Sequence, residues 1–254
     1  MKRNAIGRII VFSVLALVLT GILISGILGG NESGITLDGE AYVDVAGIKN
    51  LEINWAAGSV EVRTGEGDSI TIFENGNNSK YNAVYSIYDD TLIIDYCGSH
   101  GTVGNIEEKH LIVTVPNDWY CHKMELNCAA LDIRLSDLQI GCLELDGAGC
   151  DLTFTGSIGE LCVDGAAVKL SVFCQNRLSE VEINGTGCKL NLTLPPNCGF
   201  RVDTNGLGCD FNSDLPGIAQ NGTYTYGSQH CKIDIDGLGC EVTIFEADAE
   251  TSLN

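Results

Sequence analysis

Between Met124 and Phe245 the chain repeats itself, and no other feature restricts its fold as much. MELNCAALDIRL begins at Met124, LELDGAGCDLTF at Leu143, LCVDGAAVKLSV at Leu161, VEINGTGCKLNL at Val181 and IDIDGLGCEVTIF at Ile233. A sixth copy, FRVDTNGLGCDFN from Phe200, reads as having one extra residue in its turn. The column after the turn holds Leu131, Cys150, Val168, Cys188, Cys209 and Cys240, at spacings of 19, 18, 20, 21 and 31. The longest interval contains DLPGIAQNGTYTYGSQ, in which Pro216-Gly217 and Asn221-Gly222 are turn signals.

Period-two alternation places Leu143, Leu145, Cys150, Leu152 and Phe154 on one face and Glu144, Asp151 and Thr153 on the other. A unit of this size cannot bury its own apolar face, so the copies must stack. The expected fold is all-β: a right-handed β-solenoid-like stack of about 20-residue strand-turn-strand repeats, preceded by one transmembrane helix. A sandwich of antiparallel hairpins is the alternative, because Asp-Gly and Asn-Gly also make hairpin turns. Copies that align column by column favour the stack. Residues 40–115 are strand-like but less regular, as in AYVDVAG, SITIFE and TLIIDY.

The helix is expected at the N-terminus. Ile9 to Leu28 is uncharged, and twenty helical residues span about 30 Å, the thickness of a bilayer's hydrocarbon core. A cleaved signal peptide would want a shorter apolar run and a pair of small residues at the cleavage site. Lys2, Arg3 and Arg8 precede the run, and the next base is Lys49. The positive-inside rule then gives a single-pass protein of the cell membrane, with its N-terminus in the cytoplasm and its bulk outside. The expected organisation is a cytoplasmic N-terminus (1–8), an anchor (9–30), a linker (31–39), an extracytoplasmic β-repeat domain (40–246) and an acidic tail (247–254).

The chain has 34 acids and 14 Lys or Arg, a formal charge of −20. Such a surface repels phosphate backbones, which excludes nucleic acid as a partner by sequence-independent binding. Residues Leu51 to Val62 (LEINWAAGSVEV), Asp68 to Ile72 (DSITI) and the later LIVTVPNDW resemble the bacterial "putative adhesin" β-strand repeat family, domain of unknown function 4097. The resemblance covers roughly residues 45–246. It implies a β-repeat fold and an envelope location, and it brings no biochemical activity. Cysteine after the turn departs from that family, which usually has an acidic or apolar residue there.

Twelve cysteines in an exported chain would ordinarily mean disulfides. The exchange of Cys with Leu131 and Val168 instead fits buried thiols. Bonding among Cys188, Cys209 and Cys240 stays open, because neighbouring coils would bring them within disulfide range. No C-x-x-C occurs, so the remaining metal candidates are Cys97, His100, Cys121 and His122. The turn residues Asp146, Asp164, Asn184, Asn205 and Asp236 should form a polar ladder. Glu125, Glu144, Cys162, Glu182, Arg201 and Asp234 should form a second, solvated column. Two stacked carboxylates, Asp151 and a neighbour, could in principle flank a sugar, with Trp55 and Trp119 as the available indole platforms. No nucleophile-base set, H-E-x-x-H or phosphate loop is present. The expected function is a non-catalytic interaction or adhesion module without cofactor, its partners envelope proteins or surface glycans. The alternative is a polysaccharide-active enzyme or cation-binding module on the same scaffold.

Overall fold

A computed structural model describes residues 34–75, 82–98, 106–176, 178–220 and 222–247. Every regular element in them is a strand. In chain order these are β1 (Ile35–Thr36), β2 (Glu40–Asp44), β3 (Asn50–Trp55), β4 (Gly58–Gly65), β5 (Ser69–Asn75), β6 (Val84–Tyr88) and β7 (Thr91–Asp95). Then follow β8 (Lys109–Pro116), β9 (Tyr120–Ala129), β10 (Leu131–Ala148), β11 (Asp151–Ala166), β12 (Lys169–Cys174), β13 (Glu180–Thr186) and β14 (Lys189–Leu194). The last are β15 (Phe200–Thr204), β16 (Asp210–Ser213), β17 (Ile218–Gln220), β18 (Thr223–Tyr226), β19 (Cys231–Leu238) and β20 (Glu241–Glu246).

Two parallel ladders share one core. The first runs β7-β3-β9-β10-β11-β13-β19-β15. The second runs β8-β4-β10-β11-β12-β14-β20-β16. Strands β10 and β11 belong to both, because each turns a corner in mid-course. In β10 the register shifts between Ser136 and Leu138, where Asp137 takes a left-handed φ of 59°. In β11 the corner is Gly156, whose φ is 142°.

Alternation drives the packing. In β3, and in β9 from Met124 to Cys128, every second residue is buried, as at Leu51, Ile53, Met124 and Leu126. The inward side chains of both ladders form a single apolar cluster. Its C-terminal end is closed by Phe200, Phe211, Tyr224 and Tyr226, whose ring centroids lie 4.9–6.2 Å apart.

The expected solenoid is corrected by the strand order. A solenoid adds its rungs in sequence, whereas here the last two rungs are exchanged at each end. The β7/β8 rung lies outside β3/β4. The β19/β20 rung is inserted between β13/β14 and β15/β16. Antiparallel strands are added at both ends: β6 on β7, β1 on β6, β5 on β8, β2 on β5, β18 on β15 and β17 on β18. The sheet is therefore mixed. At the C-terminal end shared patterning explains the exchange, because any copy of the repeat offers its neighbour the same alternating face and the same turn.

The anchor is corrected as well. Its expected span, 9–30, lies outside the described residues. Among the described residues there is no helix, and none long and apolar enough to cross a membrane. The structure therefore supports neither the N-terminal transmembrane helix nor the single-pass localisation.

The turn is also not where the Asp/Asn-Gly pairs pointed. Asp146 and Asp164 lie within strands β10 and β11. The left-handed residue comes three positions later, at Ala130, Gly149, Ala167, Gly187, Gly208 and Gly239, with φ between 53° and 69°. Directly after it stand Leu131, Cys150, Val168, Cys188 and Cys240, all at most 3% exposed, and the half-buried Cys209. The sixth copy needs no extra residue: Val202 pairs with Ile233 and Leu207 bridges to Leu238, so Cys209 falls level with Cys240. This register puts Thr204 opposite the buried Ile235.

Candidate functional site: the outward face of the first ladder

Register turns the outward residues of the first ladder into columns. One contains Glu52, Glu125, Glu144, Cys162, Glu182, Asp234 and Asp203. The expected column held Arg201 in place of Asp203, and the two-residue difference is the register of the sixth copy. A second column contains Asp95, Asn54, Asn127, Asp146, Asp164, Asn184 and Asp236.

Amide donors and cations engage the two ends of this face. At one end Asn54 donates to Asp95 at 2.8 Å, and Asn127 donates to Asn54 at 2.8 Å. Lys123 sits between Glu125 at 3.1 Å and Glu144 at 2.8 Å. At the other end Arg201 pairs with Asp203 at 2.8 Å, and Lys232 joins Asp234 and Glu180 at 2.5 and 3.3 Å. The middle rungs lack cations among the described residues, although Glu182 accepts from the Asn184 amide at 3.1 Å. Among the described residues no ion pair reaches Asp146, Glu160, Asp164 or Glu182. Partial desolvation, then the neighbouring carboxylates, pushes the carboxyl groups of Asp146 and Asp164 above the usual carboxylate range.

The second ladder is chemically different. Its outward positions carry Thr153, Ser171, Asn191 and Thr243. Beside them, Lys169 pairs with Asp151 at 3.2 Å and Lys189 with Glu241 at 3.0 Å. Asp151 is thus engaged by a cation. Trp55 is fully buried and offers no platform, while Trp119 donates its indole N–H to the Ile48 carbonyl at 3.0 Å.

Of the metal candidates, His100 lies outside the described residues. Cys121 is buried, and His122, its neighbour on β9, points to the exposed side. Lys123 and Thr91 are both level with Asn50, which puts Cys121 two residues before that level and Cys97 six residues beyond it. At 3.3 Å per residue, Cys121 and the end of β7 at Asp95 are roughly 20 Å apart along the strands, and Cys97 lies two residues past that end. Among the described residues no group of three or more His, Cys, Asp or Glu is arranged to hold a metal ion.

The sequence contained no local signal for a buried ion pair in the N-terminal half. Lys109 meets Glu74 at 3.0 Å, both side chains about 95% shielded. Its ammonium lies 4.1 Å from the Tyr96 ring centroid and 5.3 Å from that of Trp55. Burial lowers the Lys109 pKa, with Glu74 opposing that shift. Alternation had placed Lys109 and Glu74 on strands but could not show that β5 and β8 pair antiparallel and bring them together.

No protein-family model matches the chain, so none supports its assignment to domain of unknown function 4097, and no curated protein matches it. Solved structures that match the chain include bacterial proteins described as putative adhesins. One, a putative cell adhesion protein from Clostridium sporogenes, is 16% identical over 84% of this chain and 100% of that one, with a TM-score of 0.45. A putative adhesin from Bacteroides fragilis is 12% identical over 84% and 99%, with a TM-score of 0.45. A third, from Parabacteroides merdae, is 13% identical over 85% and 98%, with a TM-score of 0.30. Likeness this distant leaves function to be argued from the chain's own surface.

Proposed function

We propose that the chain is a non-catalytic binding module of the adhesion type, whose partner presents cationic groups to the outward face of the first ladder. One observation carries this reading: carboxylates at Glu160, Asp164, Glu182 and Asp146 lie between ends that carry their own cations. Unfavourable charge is stored there, and an amine or guanidinium from a partner would relieve it. Parallel rungs repeat at about 4.8 Å, so the face suits an extended, repetitive partner such as an amine-bearing glycan or a basic segment of an envelope protein.

The test uses immobilised chitosan as a cationic glycan and unmodified cellulose as a neutral one. The full chain should bind the first, more weakly as salt rises, and a variant carrying Glu160→Gln, Asp164→Asn and Glu182→Gln should lose that binding. Equal binding to both glycans, or a triple variant that binds unchanged, would refute the reading. Release of new reducing ends from either glycan would favour the catalytic alternative.

A further inference from the structure

Cys188, Cys209 and Cys240 form no disulfide in this structure, and the exchanged rung order decides how they meet. Cys188, Cys209 and Cys240 occupy the same position in three neighbouring rungs. The Glu241 amide donates to the Cys188 carbonyl at 2.8 Å, and the Asp210 amide to the Cys240 carbonyl at 2.9 Å. Cys240 is therefore the middle residue of the three. Strands so paired hold equivalent Cα atoms about 4.8 Å apart, inside the range a disulfide spans. The Cys188 and Cys240 thiols donate to the Gly165 and Gly185 carbonyls, each at 3.5 Å, and Cys240 lies close enough to both Cys188 and Cys209 for their ionisation to be linked. Cys188 and Cys240 are buried, whereas Cys209, on the terminal rung, is partly exposed.

We propose that this column is a redox-modification site in which Cys240 forms a disulfide with either Cys209 or Cys188, the oxidant being a low-molecular-weight disulfide that enters at Cys209. In the first step the Cys209 thiolate attacks one sulfur of the small disulfide, whose S–S bond breaks to release one small thiolate. In the second, Cys240 gives up its proton and attacks the Cys209 Sγ, and the second small thiol departs with a proton. Two protein thiols have then lost two electrons, and the small disulfide has become two thiols. Attack of Cys188 on the Cys240 Sγ moves the bond one rung inward and regenerates the Cys209 thiol without further oxidant. The flanking thiols, Cys188 first, favour the thiolate of Cys240, and the same contact raises the pKa of Cys188. The product would fasten the inserted β19/β20 rung to one of its neighbours.

Chain order alone would put Cys209 in the middle, so peptide mapping separates the two arrangements. Folded full-length protein is treated with 2-hydroxyethyl disulfide, its remaining thiols are alkylated, and it is digested without reduction. Peptides linked Cys209–Cys240 or Cys188–Cys240, lighter by two hydrogens, are expected. Cys188→Ala should leave only the Cys209–Cys240 link, and Cys209→Ala only Cys188–Cys240, formed more slowly. Cys240→Ala should show neither. A Cys188–Cys209 peptide from the folded protein would overturn the proposal. So would three unreacted thiols, or links that form only in urea. The two variants that retain Cys240 keep the test decisive if Cys240→Ala fails to fold.

Discussion

The Cα of Gly165 faces the carbonyl oxygen of Gly147 on the adjacent rung so closely that a Cβ has no room between them. Gly185 stands in the same relation to Gly165, and Gly237 to Gly185. A Cβ on Gly165 would also come within 3.0 Å of the Val168 side chain. The second half of each Asp-Gly or Asn-Gly pair is therefore fixed by the approach of neighbouring rungs. Gly165→Ala should destabilise the domain by roughly 1–3 kcal/mol or more, because backbone cannot move aside as a side chain can. Urea denaturation followed by circular dichroism measures the cost, and a variant as stable as the parent would contradict the rung packing.

The left-handed turn position makes an opposite expectation at Ala167. Its φ of 56° is the value that Gly187 and Gly239 take at 67° and 65°. Left-handed backbone costs a residue with a Cβ about 1–2 kcal/mol, part of which glycine returns through the entropy of its unfolded state. Ala167→Gly should stabilise by about 0.5–1 kcal/mol, and Gly187→Ala should destabilise by a similar amount. No atom lies within 4 Å of a Cβ added at Gly187, so backbone conformation alone is being measured. Thermal unfolding of both variants checks the sign, and the same sign for both would exclude this account.

Those two positions also show what the sequence could carry. The inward column from Leu131 to Cys240 is legible because a period of two permits only one buried face. The end of each turn is marked by Cys, Leu or Val in that column. The order of rungs is not legible, since VEINGTGCKLNL offers the same edge to IDIDGLGCEVTIF as to the copy that follows it in the chain. What distinguishes the terminal rung is aromatic: Phe200 and Phe211 meet Tyr224 and Tyr226, and the two tyrosines come from the insertion that precedes β19. The acidic columns were visible as alternation. Their uneven neutralisation was not, because Lys123 reaches Glu144 across a rung boundary.

Buried thiols give the domain an alkaline limit. Burial pushes the thiols of Cys121 and Cys174 from an ordinary value of 9 up to about 12. Between those values the unfolded chain loses protons that the folded chain keeps. The stability these thiols provide is complete below pH 9 and falls as pH rises toward 12. The slope is about 1.4 kcal/mol per pH unit for each thiol. The urea midpoint should accordingly drop through that window. A variant carrying Cys121→Ala and Cys174→Val should start lower at neutral pH and fall less steeply. An unchanged slope in that variant would assign alkaline unfolding to other groups.

Asp146 and Asp164 stand opposite each other on β10 and β11, where the flanking rungs have Asn127 and Asn184. Both carboxyl pKa values are raised by desolvation, and Glu144 lies close to each. A raised carboxyl pKa means that the folded state holds its proton more tightly than the unfolded state does. The resulting stability is present at acid pH and is lost as pH climbs past the folded value, which leaves a net cost at neutrality. Asp164→Asn removes that cost and continues the amide column. Both groups are partly open to solvent, so the gain at pH 7 should be only about 0.5 kcal/mol. It should shrink further in high salt and vanish at acid pH, where Asp164 itself becomes neutral. The same substitution removes a carboxylate that the proposed cationic partner would use, so binding to chitosan should weaken while stability rises. Urea melts at pH 7 and pH 3, run beside the binding assay, read both effects. A substitution that destabilises the protein at pH 7 would show that the two carboxylates do not repel each other across the rungs.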